Sequence, residues 1–169
     1  MISRLELKAK SFATKCHEGQ FRKDGITPYI SHPATVVGLL KRMGVSNENI
    51  LAAAWLHDVV EDCGVKIEKL NKEFNPEVSR IVSQLTRDCS QEEYLNRIKN
   101  ADYSVKVIKI ADVVHNCSNL HYPEVPSWTL KNKIEECEKV YFDLSKEISQ
   151  KFHQMLKHYF ALCELVAVR

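Results

Sequence analysis

One short acidic segment, His57-Asp58-Val59-Val60-Glu61-Asp62, brings an imidazole and three carboxylates together within six residues. On a helix, His57 and Glu61 lie four residues apart and share a face, and Asp58 and Asp62 do the same beside them. Carboxylate oxygens and neutral imidazole are ligands for cations such as Mn²⁺, Fe²⁺ or Zn²⁺. The segment therefore predicts a divalent-metal site, although a solvated acidic helix end would contain the same residues.

Two further candidate ligands, His32 and Asp112, stand far from this segment in the chain. Asp112 interrupts an apolar run, Val105–Val114, where a carboxylate needs a cationic partner. That partner is either a metal ion or a nearby lysine, Lys109 or Lys106. His32 stands where a helix is predicted to start, a position that an ordinary histidine without a ligand role also occupies.

A loop predicted over Gly19–Ser31 supplies positive charge ahead of His32. Arg22 and Lys23 stand side by side in it. Arginine binds phosphate oxygens through a bidentate fork, and lysine binds them as a point charge. The pair predicts contacts with a phosphorylated substrate, and two solvated loop charges are the alternative.

Helices are expected to position these residues, because the apolar pattern repeats with helical spacing along most of the chain. A capping-box pattern, Ser3 with Glu6, marks the first helix start. The stretch Val105–Ile110 alternates as a strand would, but its apolar pattern continues to Cys117 and favours a helix. The predicted helices are Ser3–His17, a helix from about Pro33 to Met43, Glu48–Asp62, Ile67–Phe74, Pro76–Leu85, Gln91–Lys99, Val105–Leu120, Trp128–Ser149 and Gln150–Val168.

Length and composition agree with an all-α fold, a compact helical bundle that forms a single domain over residues 1–169. The formal net charge of +2 argues against bulk nucleic-acid binding. No apolar run reaches the ~20 residues of a membrane span, and no signal sequence is evident, so a cytoplasmic location is expected. The six cysteines include no C-x-x-C pair and are expected to be free thiols. Cys63, beside the acidic segment, is interpreted as a small helix-end residue rather than a nucleophile.

Three segments together resemble the HD superfamily of metal-dependent phosphohydrolases, with its H…HD…D pattern. They are most similar to the hydrolase domains of RelA/SpoT proteins and the single-domain small alarmone hydrolases, which carry an R-K-x-G-x-P-Y-x-x-H-P loop, an H-D-x-x-E-D helix and a K-x-A-D-x-x-x-N segment. The resemblance covers about residues 5–120, and the helices over 126–169 match weakly. The corresponding segments here are Arg22 to Pro33, His57 to Asp62 and Lys109 to Asn116.

The resemblance implies specific roles for these residues. It implies that Glu61 and Asp62 handle the attacking water, that Arg22 and Lys23 bind substrate phosphates, and that Asn116 lies near the nucleoside. The implied reaction removes the 3′-pyrophosphate from guanosine tetra- or pentaphosphate, and the implied partner is a small phosphorylated nucleotide. The implied ligands of one divalent ion, usually Mn²⁺, are His32, His57, Asp58 and Asp112.

Two positions depart from the family pattern, and they bear on the substrate. Val113 and Ser118 stand where basic residues are common in many members. The alternatives are an HD phosphohydrolase that acts on another nucleotide and a catalytically idle HD domain that senses a nucleotide. The presence of both Glu61 and Asp62 argues against the idle domain.

Overall fold

The structure is a computed structural model that describes residues 2–118 and 127–167, with side chains described for 2–118 and 131–162. No β-strand occurs among these residues, and the predicted all-α fold is confirmed. The helices are α1 (Arg4–Cys16), α2 (Ser31–Arg42), α3 (Glu48–Leu56), α4 (Val59–Cys63), α5 (Ile67–Glu73), α6 (Pro76–Leu85), α7 (Gln91–Asn100), α8 (Tyr103–Ser118), α9 (Ser127–Glu136), a π-helical turn (Cys137–Tyr141), α10 (Phe142–Ile148) and α11 (Gln150–Ala167).

The chain divides into two compact units, Met1–Ile108 and Lys109–Arg169. Helix α8 begins in the first unit and ends in the second. The single domain expected over residues 1–169 stays a prediction. None of the described helices is both long enough and apolar enough to cross a membrane.

Helix α3 is the centre of the first unit, and α1, α2 and α6 pack against it. Its residues Ile50–Leu56 are all apolar and all buried. Burying a large aliphatic side chain contributes about 1.5–3 kcal/mol, so this run anchors the unit. The apolar run ends at His57, which directly follows α3 and is itself 5% exposed.

The prediction of one continuous helix over Glu48–Asp62 is wrong, because the helix is interrupted at His57 and Asp58, between α3 and α4. In a continuing helix, the amide of Asp58 would donate to the carbonyl of Ala54. The side chain of His57 competes for that carbonyl, with Nδ1 2.8 Å from Ala54 O. Such local side-chain bonds offer the backbone an alternative to the helical ladder.

The start of α1 is capped by Ser3, whose hydroxyl accepts from the amide of Glu6. The reciprocal half of the expected capping box is absent from α1. Instead the Glu6 carboxylate is buried and accepts from Lys41 Nζ at 2.6 Å and Trp55 Nε1 at 3.4 Å. The first helix is thereby tied to α2 and α3.

The second unit contains a helical segment that sequence periodicity predicted as one helix, Trp128–Ser149. Its middle widens into the π-helical turn Cys137–Tyr141, as happens where a helix accommodates an extra residue. Helices α9 and α10 both pack against α11. The predicted helix ends at Leu120 and Val168 lie outside the described residues.

Candidate metal centre

Three side-chain atoms converge where α2 approaches the junction of α3 and α4. His32 Nε2 and His57 Nε2 are 3.2 Å apart. Asp58 Oδ2 lies 3.4 Å from His32 Nε2 and 3.1 Å from His57 Nε2. Both imidazoles are buried, and Asp58 is partly exposed, so the cluster is a buried donor set with one more accessible carboxylate.

The backbone fixes the tautomer of His57. Ala54 O can only accept, so the Nδ1 that lies 2.8 Å from it carries a proton, and in the neutral imidazole Nε2 then presents a lone pair. A histidine that binds metal commonly uses its second nitrogen in this way. The lone pair of His57 Nε2 and the negative Asp58 Oδ2 repel each other unless a positive charge lies close by. A divalent cation or a protonated His32 supplies that charge, so the cluster fits a metal ion.

Tyr29 orients the carboxylate of Asp58, since its hydroxyl donates to Asp58 Oδ2 at 2.8 Å. Burial raises the pKa of Tyr29 well above its ordinary value, and the carboxylates of Asp58 and Asp62 raise it further. The hydroxyl therefore stays protonated and acts as a donor. The sequence offered Tyr29 only as one possible ligand contact of the loop, and its bond to Asp58 was not predicted.

The two predicted catalytic acids lie on α4, and both are exposed. Glu61 Oε2 accepts from the backbone amide of Arg87 at 3.0 Å, a contact that sequence reasoning missed. The amide of Asp62 donates to Asp58 O at 2.8 Å, which ties the first turn of α4 to a predicted ligand. Both carboxylates are accessible to solvent.

The basic loop folds back on itself through a bridge between Phe21 and Pro28. The amide of Arg22 donates to Thr27 O at 2.7 Å. The Arg22 guanidinium lies over the ring of Tyr29, 5.4 Å from its centroid. The structure thus brings Arg22 to the tyrosine that holds Asp58, whereas Lys23 is exposed in the same loop.

Cys63, at the end of α4, lies with its Sγ 3.4 Å from His17 Nδ1. Burial, and then the proximity of Cys16, raises the pKa of the Cys63 thiol to about 11. Nucleophilic cysteines have lowered pKa values, so this thiol fits the structural interpretation.

Asp112, in the second unit, is 6% exposed and has two partners on its own helix. Its Oδ2 accepts from Lys109 Nζ at 2.9 Å, and its Oδ1 accepts from Asn116 Nδ2 at 2.6 Å. The lysine pairing that the sequence left open is therefore present, and Asn116 shares the face of Asp112.

Val113 is 1% exposed, and Ser118 donates its hydroxyl to His115 O at 2.7 Å. These two positions, which depart from the family pattern, both lie within the regular helix α8.

A family model described as an HD domain matches residues 9–148. This chain belongs to the HD domain family. Membership in the HD domain family implies a divalent metal ion, which agrees with the donor set around His57.

Relatives of this HD-family chain carry a specific activity in their names. The human guanosine-3′,5′-bis(diphosphate) 3′-pyrophosphohydrolase MESH1 is 30% identical, over 91% of this chain and 92% of its own. The Drosophila melanogaster protein of that name is 35% identical over 75% of each chain. A solved structure described as a metazoan orthologue of SpoT that hydrolyses ppGpp superimposes with a TM-score of 0.82 at 26% identity, covering 94% of this chain and 95% of that one.

Proposed function

We propose that this HD-family chain is a metal-dependent hydrolase that removes the 3′-pyrophosphate from guanosine 3′,5′-bis(diphosphate). One observation carries the proposal above the others. His32, His57 and Asp58 place two imidazole nitrogens and a carboxylate oxygen within 3.4 Å of one another. They do so in a chain that shares 30% identity with a hydrolase of that name over nearly its whole length.

The proposed ligand set is His32, His57, Asp58 and Asp112, and the proposed ion is Mn²⁺. His32, His57 and Asp112 are buried residues whose side chains are of metal-ligand type. Mixed imidazole and carboxylate ligands suit Mn²⁺, and no thiolate is included that would favour a structural zinc site. When bound, a divalent ion supplies Lewis-acid activation of water and of a phosphoryl oxygen.

Glu61 and Asp62 are the proposed proton acceptors for the attacking water. Both carboxylates are exposed on α4, which directly follows the ligands His57 and Asp58. The Arg87 amide holds one oxygen of Glu61, so this carboxylate has a fixed orientation. A positioned proton acceptor is worth about 10²–10⁴ in rate.

Arg22, Lys23 and Asn116 are the proposed substrate contacts. Arg22 is held over the Tyr29 ring and Lys23 stands exposed next to it, so the loop offers two positive charges to phosphate oxygens. Asn116 is proposed to lie near the nucleoside. A cytoplasmic location and a role in the stringent response are part of this proposal.

The test is a turnover assay with guanosine 3′,5′-bis(diphosphate) and Mn²⁺, run beside a set of other phosphorylated nucleotides. Release of pyrophosphate together with GDP is the expected result, and Asp58→Asn is expected to lose most bound metal and nearly all turnover. If the protein hydrolyses another nucleotide but not guanosine 3′,5′-bis(diphosphate), the proposed substrate is wrong and the assignment as an HD hydrolase stands. Binding of nucleotides without any turnover would identify a sensor domain instead.

A further inference from the structure

Tyr29 contacts several residues of the candidate site, although the proposed reaction assigns it no role. Its hydroxyl donates to Asp58 Oδ2 at 2.8 Å, and the Arg22 guanidinium lies 5.4 Å from its ring centroid. The ring of His32 meets it edge-on, with centroids 5.8 Å apart and planes at 69°. One aromatic side chain therefore touches two proposed metal ligands and one proposed substrate contact.

His17 packs flat against Tyr29, with ring centroids 4.6 Å apart and planes 25° from parallel. His17 is 3% exposed and directly follows α1, so its ring is held in the core at the end of that helix. The stack keeps the plane of the Tyr29 ring close to that of the His17 ring. An aromatic pair of this kind fixes orientation as well as contributing contact energy.

Gln20 completes this arrangement by holding both His17 and the backbone of Tyr29. Its Oε1 lies 2.7 Å from His17 Nδ1, and its carbonyl accepts from the Tyr29 amide at 2.9 Å. Its Nε2 donates to Asp62 O at 3.4 Å. The end of α1, the loop and α4 are thus joined around Tyr29.

We propose that Tyr29 is a positioning residue for Asp58, and that His17 acts on the metal site through Tyr29. A carboxylate can rotate about its side-chain bonds, and the Tyr29 hydroxyl holds Oδ2 on the side that faces both imidazole nitrogens. The stack on His17 keeps that hydroxyl in place. The inference rests on the proposed metal-dependent function, because it concerns the same site.

The first experiment measures Mn²⁺ affinity of Tyr29→Phe by titration calorimetry, with no substrate present. Groups that hydrogen-bond to metal ligands are worth about 10–100-fold in metal affinity, so at least a tenfold weaker affinity is expected. Tyr103→Phe is the matched control, since Tyr103 is 53% exposed, and it is expected to bind Mn²⁺ normally. Because the phenylalanine keeps the ring beneath Arg22, KM for the nucleotide at saturating Mn²⁺ is expected to stay unchanged.

The second experiment is a double-mutant cycle that combines His17→Ala with Tyr29→Phe. His17→Ala alone is expected to weaken Mn²⁺ binding at least fivefold, but to add little once the tyrosine hydroxyl is gone, because residues that act through one contact are not additive. His17→Phe keeps a flat ring against Tyr29 and is expected to restore affinity. If His17 only stabilised the fold, its effect would instead add to that of Tyr29→Phe, so the cycle distinguishes the two roles.

The outcomes separate the inference from the proposed function. Normal Mn²⁺ affinity in Tyr29→Phe, with metal lost in Asp58→Asn, would overturn the positioning role and leave the metal site standing. Normal affinity in Asp58→Asn as well would overturn the proposed site itself. Additive losses in the double mutant would show that His17 acts by another route. Tyr29→Phe decides the first step even if His17→Ala fails to fold.

Discussion

Replacing Lys109 with methionine removes the cation that pairs with Asp112. The pair is mostly buried, with 14% of the Lys109 side chain and 9% of the Asp112 side chain exposed, and its atoms are 2.9 Å apart. Methionine approximates the volume of the lysine stem, so the variant mainly removes charge. In metal-free protein the Asp112 carboxylate still accepts the hydrogen bond from Asn116 Nδ2, at 2.6 Å.

The expected loss of stability without metal is about 3 kcal/mol. Removing one partner of a buried ion pair costs roughly 3–5 kcal/mol, because the remaining charge is left uncompensated. The charged hydrogen bond from Asn116 offsets part of this cost, which favours the lower end of the range.

The loss is expected to shrink when Mn²⁺ is present, if Asp112 is a metal ligand. The ion then supplies the positive charge that Lys109 supplied. By linkage, a metal that stabilises the variant more than the wild type also binds the variant more tightly. A recovery of about 1.4 kcal/mol corresponds to a tenfold gain in affinity, so at least that gain is expected for Lys109→Met.

The assay is urea unfolding of wild type and Lys109→Met, in chelator and in saturating Mn²⁺. Lys41→Met is the control, since Lys41 also pairs with a buried carboxylate, that of Glu6, which bonds Trp55 rather than a predicted ligand. Glu6 is 2% exposed, so Lys41→Met also leaves a buried carboxylate without its lysine and should cost a similar amount, but that cost should not depend on Mn²⁺. Equal destabilisation of Lys109→Met with and without Mn²⁺ would refute a metal contact of Asp112.

Three further substitutions test the other proposed roles. Glu61→Gln keeps an oxygen that can accept from the Arg87 amide, and it should retain the metal while turnover falls by a factor of about 10²–10⁴. Elemental analysis measures the metal content, and loss of metal in this variant would make Glu61 a ligand instead. Arg22→Ala should raise KM for the nucleotide with Mn²⁺ affinity unchanged, and steady-state kinetics that match the wild type would mark Arg22 as a solvated loop charge. Ser118→Arg should lower KM for guanosine 3′,5′-bis(diphosphate) about tenfold if a charged contact is restored, and unchanged kinetics in an active enzyme would show that this departure is neutral.

Local signals were sufficient to predict where most helices lie. Helix α6 begins at Pro76 and ends at Leu85 as predicted, because proline suits the first turn and Asn75 caps it. Ser90 and Glu93 form a complete capping box at the start of α7. These interactions involve residues three or four positions apart, so the sequence displays them directly.

The geometry of the candidate metal centre depends on tertiary contacts, which the sequence does not display. Tyr29 and Asp58 are 29 positions apart, and His32 and His57 are 25 apart. Glu6 shows the same limit, because its capping position predicted a local bond and the fold instead gave it Lys41 and Trp55. A residue's type predicts which partners suit it, but packing decides which of them it meets.

The break after α3 removes the geometric reason for which His57 was predicted to be a metal ligand. The sequence predicted that His57 and Glu61 share one helix face, whereas they belong to separate elements divided at Asp58. His57 instead meets His32 because α2 packs against α3. The bond from His57 Nδ1 to Ala54 O accompanies the end of the helix and also leaves Nε2 as the atom that faces the cluster. The bond that accompanies the failure of the helix prediction is therefore also the one that would orient His57 in the proposed metal site.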